Sequence, residues 1–232
     1  MRFYRRFLPD IMYNMRELGL YPTNDGRLTR PGRFIRSDLP RALDRAHVDL
    51  LYDYGVRTVF DLRTESESAA IPCVLDGIDG ITYLNISFTD DFSTFGQLEY
   101  CPLLHLVPII NGQNKAGEIL SAMAEADEGA ILFHCHAGKD RTGMVAVLLL
   151  LLAGVIREDI IADYQVTYTY IKPALNSIKS SELRPDNLLR TDPEWIEPFL
   201  DHIAACGGAE AFLRLLGVSD ANIGRLKARL LD

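Results

Sequence analysis

His134 to Gly143 reads His-Cys-His-Ala-Gly-Lys-Asp-Arg-Thr-Gly, which sets a cysteine and an arginine six positions apart with a glycine between them. That spacing can bring a thiolate and a planar guanidinium onto one bound phosphate. A thiol close to a helix N-terminus and a fixed cation ionises readily, so Cys135 is the candidate nucleophile. Arg141 offers forked donors that match two equatorial oxygens of a transferring phosphoryl group, where a lysine would give only a point charge. His136, Ala137, Gly138, Lys139 and Asp140 complete the expected phosphate cradle, with the His136 and Lys139 side chains at its mouth. Gly138 allows a positive φ or close backbone approach, Gly143 a tight helix start. Thr142 is expected to hydrogen-bond Cys135.

The flanks must position these groups. Ala130 to His134 is a short apolar run suited to a buried strand, and Met144 to Leu152 is apolar almost throughout, as a core helix is. The ten residues are therefore a strand-to-helix turn, whose N–H groups and helix dipole favour an anion in the concavity. Other strands are expected at Arg33–Arg36, Val56–Leu62 and Ile81–Ile86. Helices are expected at Leu43–Tyr54, stopped by Gly55, and at Asn114–Ala126. The alternation predicts an α/β fold: a central, mostly parallel sheet with helices on both faces and the active loop at a strand's carboxyl end. Beyond Leu152 the pattern is helical. Tyr164, Tyr168 and Ile171 form a packing face, Pro173 is expected to bend or break its helix, and 181–192 reads as a loop. Helices follow from Pro193 and Gly208, with Ser219 capping the last. One domain spans 1–232, with a core over about 14–180 and a helical extension over 181–232.

Departure of a phenolate is helped by a carboxylic acid that protonates it. Asp140 lies inside the loop and ranks first. Asp91 and Asp90, in a Phe-Thr-Asp-Asp-Phe stretch, rank second. Asp61 ranks third and reads better as a partner for Arg141, with Arg63 beside it and His134 supporting the cysteine.

With 24 basic against 32 acidic residues, the formal charge of −8 disfavours nucleic acid and anionic membrane as partners. The eight arginines before position 37 are read as a solvated surface with a few ion pairs. No signal peptide and no membrane-spanning stretch is recognised, so a cytoplasmic location is expected, which suits a working thiolate. Cys73, Cys101, Cys135 and Cys206 lack metal-site or disulfide spacing. Cys73 and Cys101 are read as spectators rather than oxidation partners of Cys135.

The string His134-Cys-His-Ala-Gly-Lys-Asp-Arg-Thr142 resembles the signature of the protein tyrosine phosphatase superfamily, and its Gly-Lys-Asp-Arg segment resembles the bacterial and fungal branch. Asn14-Met-Arg-Glu-Leu-Gly19 is similar to that branch's entry motif, which usually has Asp and a second Gly where this chain has Glu17 and Leu20. Gly32–Ser37, Gly55–Arg63, Asp163-Tyr-Gln-Val-Thr167 and the tail 206–219 also fit. The resemblance implies a cysteine-phosphatase fold, hydrolysis through a cysteinyl-phosphate, Asp140 as acid, no cofactor or metal, and phosphotyrosine protein or phosphoinositide substrates. A non-catalytic phosphate-binding module, a sulfur transferase and an arsenate reductase are the rival classes.

Overall fold

The computed structural model of the chain describes residues 5–8, 11–89, 115–177 and 190–231. Its centre is a five-stranded sheet of β1 (Arg16–Glu17), β2 (Phe34–Ser37), β3 (Val56–Asp61), β4 (Thr82–Asn85) and β5 (Ala130–His134), in the order β1-β2-β5-β3-β4. The short β1 runs antiparallel to β2, and every other pairing is parallel. β5 is the middle strand and is buried along its whole length. Its side chains alternate between two cores: Ile131 and Phe133 face one, Ala130 and Leu132 the other. A strand covered on both faces can be apolar at every position.

Helix α1 (Arg45–Tyr54) lies on the second face, capped by the Asp44 side chain and ended by Gly55 at φ +112. Helix α2 (Glu65–Ala70) buries no residue and had no counterpart in the sequence expectations. The first face carries α3 (Lys115–Glu125), α4 (Asp140–Leu152), α5 (Arg157–Ser177), α6 (Pro193–Ala205), α7 (Ala209–Leu215) and α8 (Asp220–Leu231). α4 is the inner helix, buried almost residue for residue, which is why its sequence shows no polar stripe. Trp195, Phe199, Phe212 and Leu226 from the last three helices enter the same core as α4. Ser219 caps α8, its Oγ accepting the Asn222 N–H at 3.2 Å.

The expected strands and helices are present within one to four residues, the core helix starting at Asp140 rather than Met144, and of the expected packing face Tyr164 and Ile171 are buried and Tyr168 half-buried. Pro173 does not end its helix, which continues to Ser177. A proline removes one intrahelical bond, and here only the last turn lies beyond it. The basic N-terminal region is also not wholly solvated: Arg16 and Arg36 are 2% and 1% exposed. No helix among the described residues is long and apolar enough to cross a membrane.

Glu17 turns its carboxylate inward from β1. Tyr54 Oη and the Gly32 N–H donate to Oε1 at 2.7 and 2.9 Å, and the Gly19 N–H to Oε2 at 3.3 Å. Burial pushes the carboxyl up to about 7 from 4.5, with those bonds opposing. Because the folded value is the higher one, the group's stabilising effect is complete below about pH 4.5 and is lost as the pH rises through 7. Glu17→Gln removes this slope. Between about pH 5 and about pH 8, the wild type is expected to lose about 2–3 kcal/mol more unfolding free energy than the variant, read by denaturant titration. Parallel pH profiles would show that Glu17 ionises as it does unfolded.

Candidate active site

β2, β5 and β3 end side by side, with Ser37 opposite His134 and His134 opposite Asp61. Cys135 leaves the sheet at this central carboxyl edge, where open α/β sheets bind ligands. The loop from Cys135 to Lys139 is shaped by what grips its carbonyls. The Leu39 N–H donates to His136 O at 3.0 Å. Asn14 Nδ2 donates to Ala137 O and Gly138 O at 2.9 and 3.0 Å, and Arg36 Nη2 to Gly138 O at 2.8 Å. No described peptide bond is cis, and a trans peptide points its C=O and N–H in opposite directions. The three outward carbonyls therefore turn the N–H groups of Ala137, Gly138 and Lys139 to the concave side, beside the α4 N-terminus. Gly138 stands at φ +67, and a Cβ there would lie 2.4 Å from Ser37 O.

The grip is itself anchored. Asp163, on α5, is buried and accepts from Arg16 Nε at 2.8 Å, Arg36 Nη1 at 2.5 Å and Tyr21 Oη at 2.8 Å. Burial alone would raise its carboxyl, but the charges of Arg16 and Arg36 hold it well below the carboxylate range. Asn14, Arg16 and Arg36 belong to stretches that the sequence marked only as similar to a family. Asn14 and Arg36 hold the loop, and Arg16 holds Asn14 and Asp163 behind them.

Arg141 is 3% exposed and forms a bidentate pair with Glu67, Nη1 to Oε2 at 2.6 Å and Nη2 to Oε1 at 2.9 Å. Burial opposes the Arg141 charge, but Glu67, Cys135 and Asp140 support it and the net shift is upward. Desolvation likewise tends to raise Glu67, yet the Arg141 and Thr64 hydrogen bonds bring it down to about 2. Asp61 is thus not the partner of Arg141. Its carboxylate accepts from Arg63 Nε at 2.9 Å, Arg63 Nη2 at 2.6 Å and Tyr83 Oη at 2.6 Å. Asp61 ends β3 and sits over the sheet's second face, whereas α2 brings Glu67 to the guanidinium. Burial acts against the Asp61 charge, and Arg63, His134 and Tyr83 outweigh it. Arg63 also donates to Ile71 O at 2.8 Å and to Glu67 O at 3.3 Å, fastening α2 to the sheet. His134 is fully buried, which favours its neutral form, and its Nδ1 lies 3.0 Å from Cys135 O.

Other expectations divide. Cys135 is at the base of the loop, 4% exposed. His136 is exposed at the mouth, but the Lys139 side chain is only 2% exposed and its Nζ is 4.4 Å from the Trp195 ring centroid. The aromatic face gives that aliphatic stem and charge a dry site away from the mouth. Thr142 Oγ1 is buried with no hydrogen-bond partner among the described residues, so the bond to Cys135 is not formed. The first turn of α4 carries the hydroxyl into the core with the rest of that helix. The Asp140 side chain is 27% exposed, with Oδ1 3.4 Å from Lys139 Nζ. Asp90, Asp91 and Cys101 lie outside the described residues; Cys73 is buried.

Glu67 was missed, although Thr64-Glu-Ser-Glu67 is a capping-box signature. That signal marks a helix start and says nothing of a partner 74 residues on. Glu67→Gln keeps the cap and removes the charge. It is expected to weaken binding of tungstate, a tetrahedral dianion, by about tenfold, since a guanidinium released from its clamp loses alignment. Unchanged affinity by calorimetry would show that the loop alone orients Arg141.

Residues 10–232 match the model of the tyrosine phosphatase family. The chain is 33% identical over 220 residues to a tyrosine-protein phosphatase of Nostoc commune, covering 85% of this chain and 74% of that one. It is 27% identical to the triple specificity protein phosphatase PtpB of Mycobacterium tuberculosis, covering 87% of this chain and 92% of that one. A crystal structure of P. aeruginosa TpbA aligns at 18% identity with a TM-score of 0.42, covering 70% of this chain and 77% of that one. A cup of amides around a cysteine, a clamped arginine and a match over nearly the whole length meet in one chain, which belongs to the tyrosine phosphatase family.

Proposed function

We propose that this chain is a cysteine-dependent phosphatase whose main substrates are phosphotyrosine proteins. The observation that carries the reading is the Cys135 loop, its carbonyls tied outward and Arg141 clamped at its rim. In the first step the Cys135 thiolate attacks phosphorus in line. The S–P bond forms, the ester P–O bond breaks, and the departing phenolate oxygen takes a proton from an aspartic acid. The amides of 137–139 and Arg141 hold the equatorial oxygens. In the second step water attacks the cysteinyl-phosphate, the aspartate accepts its proton, and inorganic phosphate leaves with the thiolate restored. Phosphoryl transfer is loose, so positioning and charge stabilisation do most of the work.

Asp140 is the first candidate for the acid, being in the loop and partly exposed; Asp91 and Asp90 are the alternatives. Asp140→Asn is expected to slow esters with poor leaving groups, phenols of pKa near 10, by about 10²–10³-fold. Activated nitrophenyl esters should slow far less. Equal losses on both would move the acid elsewhere, Asp91 first.

A second reading is broader specificity that includes phosphoinositides. The relative in M. tuberculosis carries a name that says triple specificity, whereas the engagement of Lys139 with Trp195 supports it less. Turnover of a phosphotyrosine peptide, a phosphoserine peptide and a phosphoinositide panel, measured side by side, tests the choice. The main reading expects the phosphotyrosine peptide to lead, and comparable kcat/KM on inositol lipids would favour the second. A single domain acting in the reducing cytoplasm remains the accompanying proposal, supported by the core that the last three helices share with α4.

A further inference from the structure

Asn14 and Arg36 fasten the loop from the side of the first strands. Its other end is held by the C-terminal helices. Lys139 precedes α4 with no side-chain cap on the helix. Its buried ammonium lies 4.4 Å from the Trp195 ring centroid and 3.4 Å from Asp140 Oδ1. Trp195 stands in the first turn of α6, 4% exposed, inside the core that α4 also fills. A buried ammonium is costly unless something replaces its water, and a desolvated indole face is the strongest aromatic site for one. With the side chain pinned, the Lys139 backbone between Gly138 and Asp140 has little room to rotate.

We propose that Trp195 is a positioning residue for the oxyanion loop: by holding the Lys139 ammonium over its ring, it fixes the backbone of 138 and 139, whose N–H groups meet the bound anion. The inference rests on reading the Cys135 loop as the phosphate site. It makes the C-terminal helices part of the working site, and it couples loop occupancy to the indole. Trp195 is the one tryptophan of the chain, so its emission reports on that coupling directly.

The test is tungstate titration of the full chain, followed by Trp195 fluorescence and by inhibition of aryl phosphate hydrolysis. In the wild type, a saturable emission change should share its midpoint with inhibition. Lys139→Met should bind tungstate about tenfold more weakly and lose the emission change, and Trp195→Leu should weaken binding by a similar factor. Because the two act as one unit, the double variant should be no weaker than either single variant. Trp195→Phe, which keeps a smaller aromatic face, should fall between wild type and Trp195→Leu, and it serves where the leucine variant does not fold. Unchanged tungstate affinity in folded Trp195→Leu or Trp195→Phe overturns the proposal, as do losses that multiply in the double variant. A purely structural role for Trp195 would lower thermal stability without that non-additivity. A wild type that neither binds tungstate nor hydrolyses aryl phosphate would instead bring down the phosphatase reading itself.

Discussion

Cys135→Ser is expected to lower aryl phosphate turnover by at least about 10⁴-fold while tungstate affinity stays within about threefold of wild type. Sulfur is the one atom at the base of the loop that can serve as both anionic nucleophile and leaving group. A serine hydroxyl is a far weaker nucleophile than a thiolate, and the preceding imidazole, His134, does not activate it, because its Nδ1 is turned to Cys135 O and it is shut in the core. Binding should survive because the cup is not built by the sulfur. Its carbonyls are held by Asn14, Arg36 and the Leu39 N–H, and its guanidinium by Glu67. Rapid quench of the wild type with a phosphotyrosine peptide, followed by mass spectrometry, should yield a phosphorylated peptide containing Cys135, absent from the serine variant. Turnover within tenfold of wild type would assign the nucleophile elsewhere. Loss of tungstate binding along with turnover would mean that the thiolate, rather than the carbonyl anchors, keeps the loop open.

This division of labour explains what the sequence disclosed and what it hid. The strand Ala130–His134, the loop and the helix behind it were legible because one local stretch encodes all three: an apolar run, a glycine that must take φ +67, and an apolar helix. The supports were hidden because each is a long-range contact. Asn14 reaches the loop across 124 positions, Arg36 reaches Asp163 across 127, and Glu67 reaches Arg141 across 74. Charge composition pointed the wrong way for Arg16 and Arg36, since arginine is seldom buried unless paired and the pairing carboxylate lies on α5. The two departures from the entry motif have physical counterparts. Leu20 stands at φ +66 and is 50% exposed, a backbone state that costs a side chain about 1–2 kcal/mol and that glycine takes freely. Glu17 uses its extra methylene to reach Tyr54 and Gly32 from β1.

The largest effect on stability is expected from Asp163→Asn. Asparagine keeps the volume and one acceptor oxygen but leaves Arg16 and Arg36, both almost wholly buried, without their counter-charge. Arg36 already holds its proton less firmly through burial and the neighbouring Arg16 charge. Breaking a buried pair by removing one partner costs about 3–5 kcal/mol, a large share of the roughly 5–15 kcal/mol that holds a domain together. Urea unfolding should show this loss. The wild type should show the related acid effect: with the folded carboxyl held low, the stabilisation is complete above the unfolded carboxylate range and is lost as the pH falls through the folded value. Stability and function should then separate. Adding Arg36→Met to Asp163→Asn removes one stranded cation and should recover part of the stability. Oxyanion binding should not return in full, because Gly138 O keeps Asn14 Nδ2 at 3.0 Å but has lost the charged Arg36 donor that helps hold that peptide outward. Recovery of both together would show that Arg36 and Asp163 serve the core alone. Recovery of stability without full tungstate binding would mark the buried arginine as the strut between α5 and the catalytic loop.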